Sequence, residues 1–476
     1  MKTIFIVLDH GLALAYFLQT DLTRMLLERK DLRIVFLVQD AFLPMVKNEF
    51  SHLDVIFEPM REAQVLQYTQ HHMAGTQELV DYLRGSVLSP GVPLTYVDTN
   101  RMRKEYEAQG RRRNVLLALR PAINILRQSR LARSAFRRGT YLLFTPHIYD
   151  DLFDRYKPDL IISNTAGWRL DQYLLREANR RRIRIATVIV GWDNPSSQGL
   201  PGAYINDVNV WSEVHRKEMI DGSDWPQDHI HVGGMPLYDG YISRKWVIPR
   251  QDYFKMYNLD PEKRLIAYAA TALSISPNLH IVKALVELVS SSALEKPSQL
   301  LIRLHPNHFK PMAHYRQECQ EIIELASYYP DIHVVEPREV AGGLERYSGE
   351  DFPEKASMLT HCDVLVTIYS TMVVEAALHD KPFISVCIDS PEGWENKFWI
   401  PLSQVPSWPT ASRVNKMKAG VTVFSVPELA NALNRYLNDP GLDACERHEF
   451  VKSELTFVNG EATRETADYL LSLVGD

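Results

Sequence analysis

Short apolar runs alternate with helix-length amphipathic segments along the whole chain. In the first half the runs that predict strands are Thr3–Leu8, Arg33–Val38, Asp54–Phe57, Leu160–Ser163, Arg184–Val190 and Val208–Trp211. In the second half they are Arg264–Thr271, Gln299–Pro306, Ile332–Glu336, Asp363–Ile368, Pro382–Ile388 and Val421–Ser425. Helical patterns such as Leu14–Arg29, Asp171–Arg180, Leu279–Ser290 and Val426–Leu437 lie between them. This alternation is typical of parallel, doubly wound sheets.

The chain has 476 residues, which is too many for one hydrophobic core. The strand–helix alternation occurs on both sides of a break near Tyr238–Pro249, where neither a helical nor a strand period is present. The pattern therefore predicts an α/β protein of two Rossmann-like domains facing a cleft. Ligands are expected at the carboxyl ends of the strands.

The composition of the chain argues against several classes of protein. Hydrophobic residues make up 45% and charged residues 24% of the chain, and the net charge is −6, which does not favour a nucleic-acid binder. The four cysteines include no C-x-x-C pair, so neither a zinc site nor a disulfide framework is expected, and a reducing cytoplasm fits. No run of 18 apolar residues predicts a membrane span. Asp9 and His10 interrupt the first apolar run, which favours a strand over a signal peptide.

One segment is strongly basic, although the net charge of the whole chain is negative. Arg101–Arg138 holds twelve lysines and arginines against two acids, Glu105 and Glu107, with leucines and isoleucines interleaved. Two interpretations stay open. The segment is either a basic amphipathic surface for anionic lipid or a polyanionic acceptor, or a solvated helix face whose arginines pair elsewhere.

The turn after Asp363–Ile368 carries the first candidate site. A buried strand that leads through Tyr369, Ser370 and Thr371 into a helix presents backbone N–H groups and two hydroxyls, which suit a phosphate. A capping box would need an acid at position 373 or 374, and both are valine. Capping therefore does not explain Glu375. Its carboxylate is suited to accept hydrogen bonds from a ribose diol. The alternative is a surface acid that the helix dipole favours.

Polar residues at other strand ends supply further candidates. Arg303 and His305 share one face of the strand end in "LLIRLHP" and would neutralise a departing diphosphate. Asp193, in the turn "GWDNPSS", is a candidate general base in the first domain. His10 could deprotonate an acceptor hydroxyl with Asp9 orienting it. Ordinary turn polarity is the alternative in each case.

Together these stretches resemble the GT-B glycosyltransferases, most of all bacterial surface-polysaccharide transferases and CDP-glycerol glycerophosphotransferases. The matching stretches are "VTIYSTMVVEAALHDKP", "RLHP", "GGMPLYD", "GWDNP" and the terminal "NGEATRETADYLLSLV". Ile368 stands where the glycerophosphotransferases have an acid, and Asp193 where they have a histidine. UDP-N-acetylglucosamine 2-epimerases share the general form, but their Ser-Gly-Gly phosphate turn is absent from this sequence.

The resemblance implies the GT-B fold, with a C-terminal helix that packs back on the first domain. It implies an acceptor-binding domain at 1–240, a nucleotide-sugar donor-binding domain at 250–455 and a crossing helix at 456–476. The implied activity is metal-independent transfer of a sugar, without a cofactor, to a hydroxyl of a surface glycan or lipid-linked acceptor. The expected location is cytoplasmic, or peripheral on the inner face of a membrane. The alternative is glycerophosphate transfer from CDP-glycerol.

Overall fold

The computed structural model describes residues 1–71, 74–93, 95–273, 275–291, 293–309, 312–336, 351–390 and 400–475. These residues form two compact units. The first comprises Met1–Leu237 with Leu455–Asp476, and the second comprises Tyr238–Glu454. None of the described helices is both long enough and apolar enough to cross a bilayer.

A seven-stranded parallel sheet forms the first unit. Its strands are β1 (Lys2–Leu8), β2 (Leu32–Val38), β3 (Ile56–Pro59), β4 (Leu160–Ser163), β5 (Arg184–Val188), β6 (Asp207–Val210) and β7 (Ile230–Val232). They lie in the order β3-β2-β1-β4-β5-β6-β7. Apart from β7, this is the Rossmann order, and the direction of winding reverses between β1 and β4. The apolar runs are buried on both faces of the sheet, as parallel strands between helices require.

Among the described residues, thirteen helices lie between the strands of the first sheet and a fourteenth follows β7. Those before β4 are α1 (Gly11–Leu14), α2 (Leu22–Leu26), α3 (Leu43–Glu49), α4 (Glu62–His71), α5 (Ala74–Gly85), α6 (Thr95–Glu107), α7 (Gly110–Ala118), α8 (Arg120–Gln128), α9 (Arg130–Leu143) and α10 (Asp150–Tyr156). Those after β4 are α11 (Gln172–Arg180), α12 (Asn194–Ser197), α13 (Glu213–Ser223) and α14 (Pro236–Ile242), which runs on into the second unit. A π-helix, Ala15–Gln19, and a 3₁₀ turn, Gln227–His229, complete the connections. Most of Arg101–Arg138 is thus helical, in parts of four successive helices.

The second unit repeats the topology with six parallel strands. They are β8 (Arg264–Ala269), β9 (Ser298–Arg303), β10 (Ile332–Val335), β11 (Val364–Thr367), β12 (Phe383–Val386) and β13 (Val421–Val423), in the order β10-β9-β8-β11-β12-β13. Its helices are α15 (Arg250–Met256), α16 (Leu279–Ser290), α17 (Ala313–Ser327), α18 (Asp351–His361), α19 (Met372–Leu378), α20 (Pro409–Met417), α21 (Val426–Asn438) and α22 (Ala444–Leu455). Two 3₁₀ turns occupy Pro306–Phe309 and Leu402–Ser407. The winding reverses between β8 and β11.

The last helix, α23 (Ala462–Ser472), belongs to the first unit. Thr466 accepts a hydrogen bond from Asn209 Nδ2 at 3.1 Å and donates to the Gly233 carbonyl at 3.2 Å. The Tyr469 ring stacks on His231 with centroids 3.9 Å apart. The C-terminal helix therefore packs on the first domain, as the resemblance implied.

Candidate functional site

The turn after β11 lies where the winding of the second sheet reverses, next to β8. Ser370 Oγ accepts a hydrogen bond from the Met372 backbone N–H at 3.2 Å. Thr371 is the residue before α19, yet its side chain makes no capping hydrogen bond. The next three N–H groups also have acceptors, since Val373 donates to the Ser370 carbonyl and Val374 and Glu375 donate to the Thr371 carbonyl. Open parallel sheets bind ligands at such a reversal point.

Glu375 lies one turn into α19 and is only 5% exposed. Its Oε1 accepts a hydrogen bond from Lys355 Nζ at 3.1 Å. Its Oε2 is buried and has no hydrogen-bond partner among the described residues, and the same holds for the Tyr241 hydroxyl nearby. Burial, and then the charge of Glu375, raises the pKa of Tyr241 well above its usual value. A buried carboxylate oxygen without a donor is costly, so this position calls for an explanation.

Arg303 is committed to an ion-pair network at the end of β9. Its Nε donates to Glu354 Oε2 at 2.8 Å and its Nη2 to Asp351 Oδ1 at 2.5 Å, and all three side chains are buried. Burial raises the pKa of Glu354, and the Arg303 charge opposes that rise. The sequence analysis predicted that this guanidinium contacts a diphosphate. The structure instead gives it two carboxylate partners on α18, so contact with a diphosphate stays a prediction.

His305 and Tyr369 are also held by neighbours in the second unit. His305 Nδ1 accepts a hydrogen bond from the Asn307 backbone N–H at 3.1 Å. The Tyr369 hydroxyl donates to Asn415 Oδ1 at 2.5 Å and contacts the Thr422 hydroxyl. Burial raises the pKa of Tyr369 to about 12, so the phenol stays neutral. Tyr369 thus connects the turn to α20 and β13, and its role toward a donor stays a prediction.

In the first unit, Asp9 and His10 follow β1. His10 Nδ1 accepts the Ala13 backbone N–H at 3.1 Å and so caps α1. The Asp9 carboxylate lies 3.7 Å from His10 Nε2 and 3.4 Å from Arg169 Nε, and is 1% exposed. A neutral imidazole has one lone pair, and capping uses it. His10 therefore has no basic nitrogen available unless it gives up the cap.

Next to Asp9, at the end of β4, lies a polar cluster that the sequence reasoning missed. Asn164 Oδ1 is buried without a hydrogen-bond partner among the described residues, and Thr165 and Asp171 are buried as well. Burial, and then the charge of Asp9, raises the pKa of Asp171. The cluster lies at the reversal point between β1 and β4. The signal was present in the sequence as Asn-Thr directly after a buried strand.

Asp193 follows β5, one strand further along the sheet. It precedes α12 but makes no side-chain cap. Its carboxylate is half-buried, and no hydrogen bond or ion pair to it is found among the described residues. Burial, and then the Asp193 charge, raises the pKa of Tyr96 on α6. The structure brings Asp9 and His10 together and joins neither of them to Asp193 by a described contact.

Among the described residues, one group of side chains has both the residue types and the close spacing that a metal ion needs. It consists of His147, Asp150 and Glu177. His147 Nδ1 lies 3.1 Å from Asp150 Oδ2 and 4.0 Å from Glu177 Oε2. Arg180 contacts both carboxylates, at 2.9 Å and 2.5 Å. The acids are thus already paired, which disfavours a cation there.

Comparisons with known proteins agree with this architecture. No family model and no curated protein matches the sequence. The UDP-GlcNAc 2-epimerase of Neisseria meningitidis, solved with UDP-GlcNAc, is similar at a TM-score of 0.54 and 12% identity, over 99% of this chain and 100% of that one. A glycosyltransferase from Rickettsia africae is similar at 0.51 and 10%, over 100% and 99%. The UDP complex of S. aureus MnaA is similar at 0.52 and 11%, over 100% and 98%. The chain therefore has the GT-B fold, and the predicted fold class is confirmed.

Proposed function

We propose that the chain is a glycosyltransferase that moves a sugar from a nucleotide-sugar to a hydroxyl of a surface glycan or lipid-linked acceptor, without a metal ion. The GT-B fold supports this class, since a glycosyltransferase and proteins solved with UDP or UDP-GlcNAc share it. The sequence motifs point the same way. In this proposal the second unit binds the donor and the first unit binds the acceptor.

The observation that carries the donor assignment is Glu375 Oε2, which has no hydrogen-bond partner among the described residues. A ribose hydroxyl would supply the hydrogen bond that Oε2 lacks, while Lys355 holds Oε1. The Ser370-Thr371 turn, one helical turn earlier, would take the phosphates on its N–H groups and on the Thr371 hydroxyl. Preorganised donors of this kind stabilise the leaving diphosphate. A purely structural Glu375–Lys355 ion pair is the competing explanation.

Asp193 is the proposed general base. Its carboxylate is half-buried and makes no hydrogen bond or ion pair to a described residue, whereas His10 caps α1 and Asp9 faces Arg169. Asp193 would accept the proton of the acceptor hydroxyl as the bond from oxygen to the sugar forms and the nucleoside diphosphate leaves.

Thermal denaturation with a panel of nucleotide-sugars, free UDP and CDP-glycerol tests the donor. We expect a nucleotide-sugar at about 100 times its dissociation constant to stabilise the chain by about 2.7 kcal/mol. Glu375→Ala should abolish that gain. Tyr241→Phe is the matched control, because it removes a neighbouring hydroxyl without touching the carboxylate. Stabilisation that survives Glu375→Ala would overturn the donor site, and stabilisation by CDP-glycerol instead would favour the glycerophosphotransferase.

Product analysis separates transfer from epimerisation. An epimerase changes UDP-GlcNAc with no acceptor present, whereas a transferase releases the nucleoside diphosphate in step with acceptor consumed. Conversion of UDP-GlcNAc to its 2-epimer without an acceptor would contradict the transferase proposal.

A further inference from the structure

Helices α7, α8 and α9 carry an unusual charge. Residues 110–143 contain nine arginines and no aspartate or glutamate, in a chain whose net charge is −6. The nine are Arg111, Arg112, Arg113, Arg120, Arg127, Arg130, Arg133, Arg137 and Arg138. We call the exposed surface of residues 110–143 the arginine face.

Among the residues that the structure describes, ion pairs account for three of these arginines. Arg112 contacts Glu78, Arg120 pairs with Glu105 at 2.5 Å, and the buried Arg133 pairs with Asp224 at 2.5 Å. For the remaining six, no ion pair is found among the described residues. They are Arg111, Arg113, Arg127, Arg130, Arg137 and Arg138. Arg101 also pairs with Asp98 and Glu105, as the interpretation of a helix face with paired arginines expects, and the lipid or polyanion interpretation stays a prediction.

Large apolar side chains stand among these cations. Leu131 is 84% exposed and Ile125 is 62% exposed, on either side of the junction where Ser129 ends α8 and caps α9. Leu131 and the exposed Arg138 lie seven residues apart, so they share one face of α9. The opposite faces of α8 and α9 are buried by Ile123, Leu126 and Arg133. The exposed apolar residues are therefore not part of the local core.

We propose that the arginine face binds the surface of an anionic phospholipid bilayer. The arginines would contact lipid phosphates, and Ile125 and Leu131 would enter the interfacial layer. Surface helices that combine arginine with exposed Leu and Ile are suited to this boundary, because charge attraction and apolar burial add. A soluble polyanion would use the charges and leave Ile125 and Leu131 in water, so the bilayer fits the surface better. The inference is independent of the glycosyltransferase proposal, since lipid binding is measured without nucleotide or acceptor.

Vesicle cosedimentation of the full chain tests the inference. We expect binding to vesicles with roughly 30 mol% phosphatidylglycerol and little binding to pure phosphatidylcholine. Raising the salt from about 0.05 M to about 0.5 M should weaken binding by screening the charges. Arg130→Glu with Arg138→Glu should lower the affinity at least about tenfold. The matched control is Lys416→Glu with Arg435→Glu, which makes the same charge change at exposed positions of the second unit and should bind like the wild type.

A second variant separates a bilayer from a soluble polyanion. Ile125→Ser with Leu131→Ser should reduce vesicle binding while leaving binding to heparin unchanged. Because both side chains are largely exposed, the variant should keep its thermal stability, and circular dichroism checks this. Equal binding to neutral and anionic vesicles would overturn the inference. Full vesicle binding by Arg130→Glu with Arg138→Glu would also overturn it. Full vesicle binding by Ile125→Ser with Leu131→Ser would overturn it as well, and would identify a polyanion surface instead.

Discussion

At the scale of single residues, the three candidate bases differ in what their polar atoms already contact. Asp193→Asn should lower turnover by about 10²- to 10⁴-fold, since the amide cannot accept the proton. His10→Asn should leave turnover close to the wild-type value, because asparagine can replace the imidazole as the cap of α1. Initial rates with the best nucleotide-sugar measure both. Wild-type turnover in Asp193→Asn, or a large loss in His10→Asn, would reverse the assignment.

His379 gives a prediction on pH. Burial, and then the nearby cations Lys381, Arg244 and Lys355, lowers its pKa from 6.5 to about 4. The unfolded chain then binds the proton more readily, so the stabilising contribution is present above pH 6.5 and is lost as the pH falls toward 4. This pKa shift should lower the free energy of unfolding by about 2 kcal/mol as the pH falls from 6.5 to 5. Thermal midpoints at pH 7 and pH 5 should fall further apart in the wild type than in His379→Gln, and equal differences would contradict the burial effect.

At the scale of elements, the buried ion pairs of Arg303 join β9 to α18. Arg303→Gln should destabilise the ligand-free second unit by about 3–5 kcal/mol, because Asp351 and Glu354 would remain buried without a cation. His305→Gln is the matched control at the same strand end and should cost much less, since that ring is half-buried and makes a local hydrogen bond. Urea denaturation measures both. A stable Arg303→Gln variant with weakened nucleotide binding would restore the predicted role at the diphosphate.

Sequence periodicity predicted the strands well because parallel strands in a doubly wound sheet are continuous apolar runs. It missed β7, whose three residues are too short for a period and lead directly into Gly233 and Gly234. It also predicted one helix for Leu14–Arg29, where the chain forms a π-helix, Ala15–Gln19, followed by the short α2. Thr20 Oγ1 donates to the Tyr16 carbonyl there, and the Thr20 backbone is extended, which ends the helix.

The sequence predicted where the candidate site residues lie, but it did not predict which side chains contact them. Strand ends locate Asp9, Asp193 and Ser370, because parallel strands deliver their carboxyl ends to one edge of a sheet. The partners of Arg303 lie on α18, 48 and 51 residues further along the chain, and no local pattern connects them. For the same reason Lys355 could not be assigned to Glu375 from the sequence.

At the scale of the whole molecule, the two units share one strand order and differ in what lies between strands. The first unit places helices α4 to α10 between β3 and β4, and three of them, α7 to α9, carry the arginine face. The second unit has no such insertion among its described residues, and its connections hold the Glu375 turn and the Arg303 ion pairs. Membrane contact and nucleotide binding, as proposed, therefore reside in different units. Variants of one should leave the other measurable.

The C-terminal helix makes the first unit depend on the far end of the chain. Leu470→Ala should destabilise that unit by about 2–5 kcal/mol, since Leu470 is fully buried and a cavity would remain. Asp468→Ala, on the exposed side of the same helix, is the control and should have little effect. Amide hydrogen exchange should quicken in β1 to β7 and stay unchanged in β8 to β13, because the helix packs within the first unit. Unchanged exchange in the first sheet would mean that α23 adds little to the stability of that unit.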